Sequence, residues 1–133
     1  MAGTTTVTKQ PMALNDTGKT VSKITIDWTS DASGNVNGTT IDLFGYLLKA
    51  ITIPTGSPTD LYDITLADPN SSSLDAAGGK LVDRSGTLSQ QVHPTESNAS
   101  IPLWFSDLAY EFKVANAGNA KSGKCILFVC DAL

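Results

Sequence analysis

Residues 108–130 read LAYEFKVANAGNAKSGKCILFVC, two strand-like runs joined by a turn. In the first, Leu108, Tyr110, Phe112 and Val114 alternate with Ala109, Glu111 and Lys113, the period-two pattern of a strand with one buried face. The second, KCILFVC, is rich in residues that suit a pleated surface and reads as the last strand. NAGNAKSGK lies between them, so the two runs are expected to pair as an antiparallel hairpin. The stretch also holds GNAKSGKC, which matches the phosphate-binding pattern at Gly118, Gly123 and Lys124. That pattern needs Ser or Thr next and a following helix to face the phosphates; Cys125 and a strand follow instead, so a loop is expected and not a nucleotide site. Cys125 and Cys130, five steps apart on an extended segment, are separated by about 16 Å, too far for a disulfide. They fall on opposite faces, which also argues against joint metal ligation, so both read as small apolar strand residues in a reducing compartment.

Moving outward, LYDITLADP sets Tyr62, Ile64 and Leu66 against Asp63 and Thr65, and KITIDWT sets Ile24, Ile26 and Trp28 against Thr25, Asp27 and Thr29. The block TTIDLFGYLLKAITIP is apolar at both parities and broken by Gly45. It reads as two short strands or one strand bulged near Gly45, buried on both sides until Pro54. NSSSLDAAGGKLVDRSG, with its serine cluster and the Gly78-Gly79 pair, reads as a loop with at most one helical turn near Leu74–Ala77, and as the first candidate for a functional loop. TLSQQVHP and IPLWF suit edge positions. Only Glu96 and Glu111 among the acidic residues are glutamates, and Thr, Ser, Asn and Gly abound, a profile poor in helix formers. Seven to eight short strands separated by turns, with no amphipathic helix, predict an all-β antiparallel β-sandwich or jelly roll.

At 133 residues the chain has room for one domain, expected over residues 18–133, preceded by an extended N-terminal arm over 1–17. Its 13 acidic against 9 basic residues give a net charge of -4, and Arg84 is the only arginine, so no nucleic acid is expected as partner. No apolar run approaches the ~18 residues of a membrane span, and MAGTTTVTKQPM lacks the features of a secretory signal. The expectation is a soluble, unexported chain with no membrane partner.

Chemistry is sparse. His93, the only histidine, is followed by Pro94 and has no nucleophile elbow to serve. The near pairs Asp27/Asp31 and Asp60/Asp63 read as turn caps rather than a glycosidase pair, and DASGN lacks the ligand alternation of a helix-loop-helix calcium site. No catalytic residue, cofactor or metal is expected. Trp28 and Tyr62 fall on inward faces, whereas the adjacent Trp104 and Phe105 point opposite ways and leave one ring for a partner. The candidate interface residues are therefore Trp104 and Phe105 with Thr4, Val7, Met12 and Leu14 of the arm.

The strings ITIDWTSDASGNV, YLLKAITIP followed by SPTDLYDITLAD, and VANAGNAKSGKCILFV resemble small virion proteins of tailed bacteriophages, over roughly residues 20 to 130. The resemblance implies a non-enzymatic structural subunit, a decoration or cement protein on the capsid exterior, assembled in the bacterial host cytoplasm. Its partners would be the major capsid protein or another virion protein, together with self-association as a homotrimer. A tail, baseplate or head-to-tail connector subunit is the alternative within that class. A carbohydrate-binding module recognising host surface glycan, with the aromatic residues as its platform, is the alternative outside it.

Overall fold

Alternating β-branched and polar residues with glycine- and aspartate-rich breaks dictate strands and turns throughout. The computed structural model describes residues 3–14, 19–43, 45–93, 103–105 and 110–130. Ten strands run in chain order: β1 (Thr4–Leu14), β2 (Lys19–Thr29), β3 (Val36–Ile41), β4 (Gly45–Pro54), β5 (Asp63–Asp68), β6 (Ser71–Asp75), β7 (Gln90–Val92), β8 (Leu103–Phe105), β9 (Tyr110–Ala115) and β10 (Ser122–Cys130). No helix occurs among the described residues. Sheet A has the order β1-β2-β10-β4-β7, with β8 also pairing β4, and sheet B the order β3-β9-β5-β6. Every pairing is antiparallel, and the fold is an all-β, sandwich-like arrangement of two sheets.

The period-two residues meet between the sheets. Ile24, Ile26 and Trp28 of β2, Cys125 and Leu127 of β10, and Leu47 and Ala50 of β4 face Ile64, Leu66, Phe112 and Val114 of sheet B, all of them buried. Removing a large apolar side chain of this kind from water stabilises by about 1.5–3 kcal/mol. Trp28 reaches across the layers to Tyr62, with ring centroids 5.4 Å apart. Its indole lies on Gly123, where an added Cβ would come within 2.6 Å of Trp28 Cζ2. Glycine at that point of β10 is what lets the largest core side chain lie flat.

Three features depart from the sequence expectations. β9 and β10 do not form a hairpin: β9 pairs with β3 and β5 in sheet B, β10 with β2 and β4 in sheet A. Residues 116–121 therefore cross from one sheet to the other. Left-handed backbone at Asn116 (φ 63), Gly118 (φ 89) and Ala120 (φ 50) makes the turn, and Ser30 anchors it, its hydroxyl donating to Gly118 O at 2.6 Å. TTIDLFGYLLKAITIP is indeed two strands, but β3 and β4 lie in different sheets, and the irregularity in β4 falls between Leu47 and Lys49, opposite Phe128/Val129, not at Gly45. The serine cluster forms β6, one of the strands that bring the number to ten against the seven to eight expected. Asp75 at its end accepts the backbone N–H groups of Leu66 (3.0 Å), Ala77 (2.9 Å) and Gly79 (3.0 Å). One carboxylate thus closes a turn that a serine-rich sequence alone does not announce.

The segment expected as an arm is extended over Thr4–Leu14 and pairs along all of that length with β2, as the edge strand of sheet A.

Candidate functional site

β4 and β10 are interior strands of sheet A, and their inward residues alternate with a second row that faces away from sheet B. In a sandwich that outer row is ordinarily polar, because one sheet covers only one face of the other. β2 obeys, with Lys23, Thr25 and Asp27. β4 and β10 do not. Their outer positions hold Ile51 and Ile53, and Ile126 and Phe128, each partly exposed. The register brings these four together: Ile126 sits opposite Ile51, and the flanking pairs are Lys124–Ile53 and Phe128–Lys49. On the other side Lys124, Ile126 and Phe128 sit opposite Asp27, Thr25 and Lys23.

The result is an apolar centre framed by cations. Lys49 Nζ stands 5.0 Å from the centroid of the Phe128 ring, a cation–π contact that lays the lysine stem along the aromatic face. Lys124 Nζ lies 3.6 Å from Asp27 Oδ1. Both side chains of that pair are more than two-fifths exposed, so it adds little stability. Strand and residue spacings make the face about 19 Å across from β1 to β7 and about 20 Å along from the Asp27 row to the Met12 row. Its exposed apolar part is the group Ile51, Ile53, Ile126 and Phe128; the row at the far end is covered, Val21 and Cys130 being 6% and 5% exposed.

The residues singled out in the sequence lie around this face. Thr4 is exposed at one end of β1, and Val7 and Met12 are 39% and 40% exposed. Met12 pairs with Val21, Val21 with Cys130, Cys130 with Tyr46, and Tyr46 with Trp104. Met12 and Trp104, remote in sequence, thereby occupy the two ends of one register row across sheet A. Val7 pairs with Ile26 on the inward parity, Leu14 with Lys19, and Phe105 with Gly45, so these three do not join that row. The four residues at the centre of the face were not singled out in the sequence. The signal for Ile51 and Ile53 lies in a block apolar at both parities, a pattern that predicts burial on both sides and so hides an exposed outer row.

The remaining chemical candidates are held in structural roles. Asp31 Oδ1 accepts the N–H groups of Ser33 and Asn35 at 2.9 Å each. Asp60 Oδ1 accepts Gly86 N, and Asp63 accepts Asp83 N and the Asn116 side-chain amide. His93 is exposed after β7, with the Gln91 side-chain amide donating to its Nε2 at 3.0 Å. Cys125 and Cys130 are free and buried. Burial raises the Cys125 thiol to about 12, away from the thiolate that nucleophilic chemistry requires. Among the described residues no three His, Cys, Asp or Glu side chains group as ligands for a cation. The residues after strand β10, and 94–102 and 106–109, lie outside the described residues.

No protein-family model, curated protein or solved structure matches the chain.

Proposed function

We propose that the chain is a non-enzymatic structural subunit of a tailed-bacteriophage particle, docking on the capsid exterior as a decoration or cement protein. The observation that supports this most is the outer face of sheet A, where Ile51, Ile53, Ile126 and Phe128 break the alternation that a solvated sheet face would keep. An apolar centre with a charged rim is the anatomy of a protein–protein contact. A subunit present in many copies can rest on a contact smaller than the ~800 Å² that each partner contributes to a standard interface.

The glycan-binding alternative depends on an aromatic platform. Two of its candidate rings, Trp28 and Tyr62, are 2% and 0% exposed and packed on each other inside the sandwich, which leaves such a platform to Tyr46, Trp104 and Phe105.

The test is cosedimentation of the purified protein with shells that lack it, counting copies bound per shell across a titration. Saturation at hundreds of copies, abolished by Ile126→Asp in a variant that still folds, supports the reading. Absence of binding to shells moves the subunit to the tail or connector, where the same titration on isolated tails decides.

A further inference from the structure

We infer that the surface received by the outer face of sheet A is an acidic protein surface with an apolar centre of its own. This rests on the docking reading above and names its partner's chemistry. Lys23, Lys49 and Lys124 stand on this face against one described acid, Asp27. Among the described residues, three of the chain's cations are thus gathered with one acid, a net 3 − 1 = +2 on this face of a chain whose net charge is -4. The sign of the face is opposite to that of the molecule, and a partner that reads this face meets cations first.

The same arrangement argues against a second copy of the chain as occupant. Two such faces stacked about a twofold axis would set lysines against lysines around a shared apolar centre, and like charges brought together while losing water are strongly unfavourable. Head-to-tail stacking on the outer face of sheet B fares no better. Among the described residues that face offers Thr40, Asp63, Thr65, Glu111, Lys113 and Ala115; Glu111 is already 3.6 Å from Lys113, Asp63 already accepts from Asp83 N and the Asn116 side-chain amide, and no large apolar side chain stands among them for the isoleucines to meet. Nucleic acid would match the lysines but leave Ile51, Ile53, Ile126 and Phe128 against phosphates and sugars. A protein surface whose carboxylates surround apolar side chains satisfies both halves of the face. The Lys49–Phe128 contact holds one cation at the border between the two.

The experiment uses the full chain and three probes: shells lacking the protein, vesicles containing phosphatidylglycerol, and duplex DNA. Half-saturation is measured at about 50 and about 300 mM salt for the natural protein, for Ile126→Thr, and for a triple variant with Lys23→Gln, Lys49→Gln and Lys124→Gln. Circular dichroism and thermal melts check that each is folded. The inference expects shell binding that weakens roughly tenfold between the two salt concentrations, and roughly tenfold in the triple variant at low salt. It also expects the variant's remaining binding to be nearly insensitive to salt. Shell binding that ignores both salt and the lysines overturns the acidic partner and leaves the docking reading standing. Binding to vesicles or DNA in preference to shells overturns both, and so does failure to bind any of the three probes or isolated tails. Self-association at low salt that the triple variant abolishes also overturns the inference, because it makes a second copy the occupant.

Discussion

Ile126 and Leu127 are neighbours on β10 and face opposite ways, so one pair of substitutions separates the inside of the sandwich from its outer face. Leu127 is 0% exposed, packed between the sheets beside Ile24 and Ala50, its register partners. Leu127→Ala removes its buried methyl groups and leaves a cavity that a two-sheet core fills poorly, a loss of about 3 kcal/mol. With an unfolding entropy of ~2.1 cal/mol/K per residue, the 133 residues give about 0.28 kcal/mol per kelvin, so the midpoint falls by about 11 °C. Ile126 is partly exposed on the other face. Ile126→Thr keeps the β-branched shape, removes two carbons and adds a hydroxyl within reach of water, a loss below about 1 kcal/mol and below about 4 °C. Scanning calorimetry on both variants reads the two shifts directly. The docking assay should reverse the order: Leu127→Ala, assayed below its melting point, binds shells as the natural protein does, and Ile126→Thr binds them weakly. A midpoint drop for Ile126→Thr as large as that for Leu127→Ala would mean that the outer face is covered within the chain, and the candidate site would fall with it.

Other consequences are as direct. Gly123→Ala places a Cβ 2.6 Å from Trp28 Cζ2 and 3.0 Å from Ile53 O, so the indole must shift; the expected cost is about 1–3 kcal/mol, accompanied by a change in the near-ultraviolet circular dichroism of the tryptophan. Tyr62 is raised from 10.0 to about 12, chiefly by burial and then by Cys125, with the nearby Thr52 and Arg84 pulling the other way, and burial raises Cys125 from 9.0 to about 12. Both groups ionise more readily unfolded, so their contribution is whole below about pH 9 and is lost as the pH climbs toward 12. Denaturation midpoints measured across that range should fall for the natural protein, and less steeply for Tyr62→Phe.

What the sequence carried was periodicity. Ile24, Ile26 and Trp28, or Ile64 and Leu66, could be assigned to a buried face because strand geometry sends alternate residues to one side, and those residues are the core. Which sheet a strand joins is not written in its own pattern. Tyr110, Phe112 and Val114 look the same whether β9 pairs with β10 or, as happens, with β3 and β5. The difference lies in the 116–121 loop, where Asn116 and Ala120 adopt left-handed backbone that neither residue demands. Ser30, whose hydroxyl accepts Lys121 N and donates to Gly118 O, fixes that loop from 88 to 91 residues away. Contacts at such separation leave no local trace. The candidate face was half legible for a related reason. A run apolar at both parities says that both sides avoid water, and only the arrangement of layers tells which side is met by the chain itself.

That arrangement also bears on how sheet A meets a partner. A sheet can be extended sideways by pairing at its edge or covered on its face, and among the described residues β1 is the long edge strand of sheet A. It carries Lys9 and Pro11, a charged side chain and a residue with no N–H to give, two devices that discourage a further strand from adding. Its outer positions opposite β2 hold Thr6, Thr8, Gln10 and Met12, which continue the face of Ile126 and Phe128 with a polar margin that closes on an exposed methionine. The edge is guarded where a strand would attach, while the face is open where side chains would pack. A contact through the face binds a bounded area and stops there, whereas edge pairing between identical sheets can propagate without limit. For a subunit that must saturate a fixed number of positions, a guarded edge beside an apolar, lysine-framed face is the physically consistent combination.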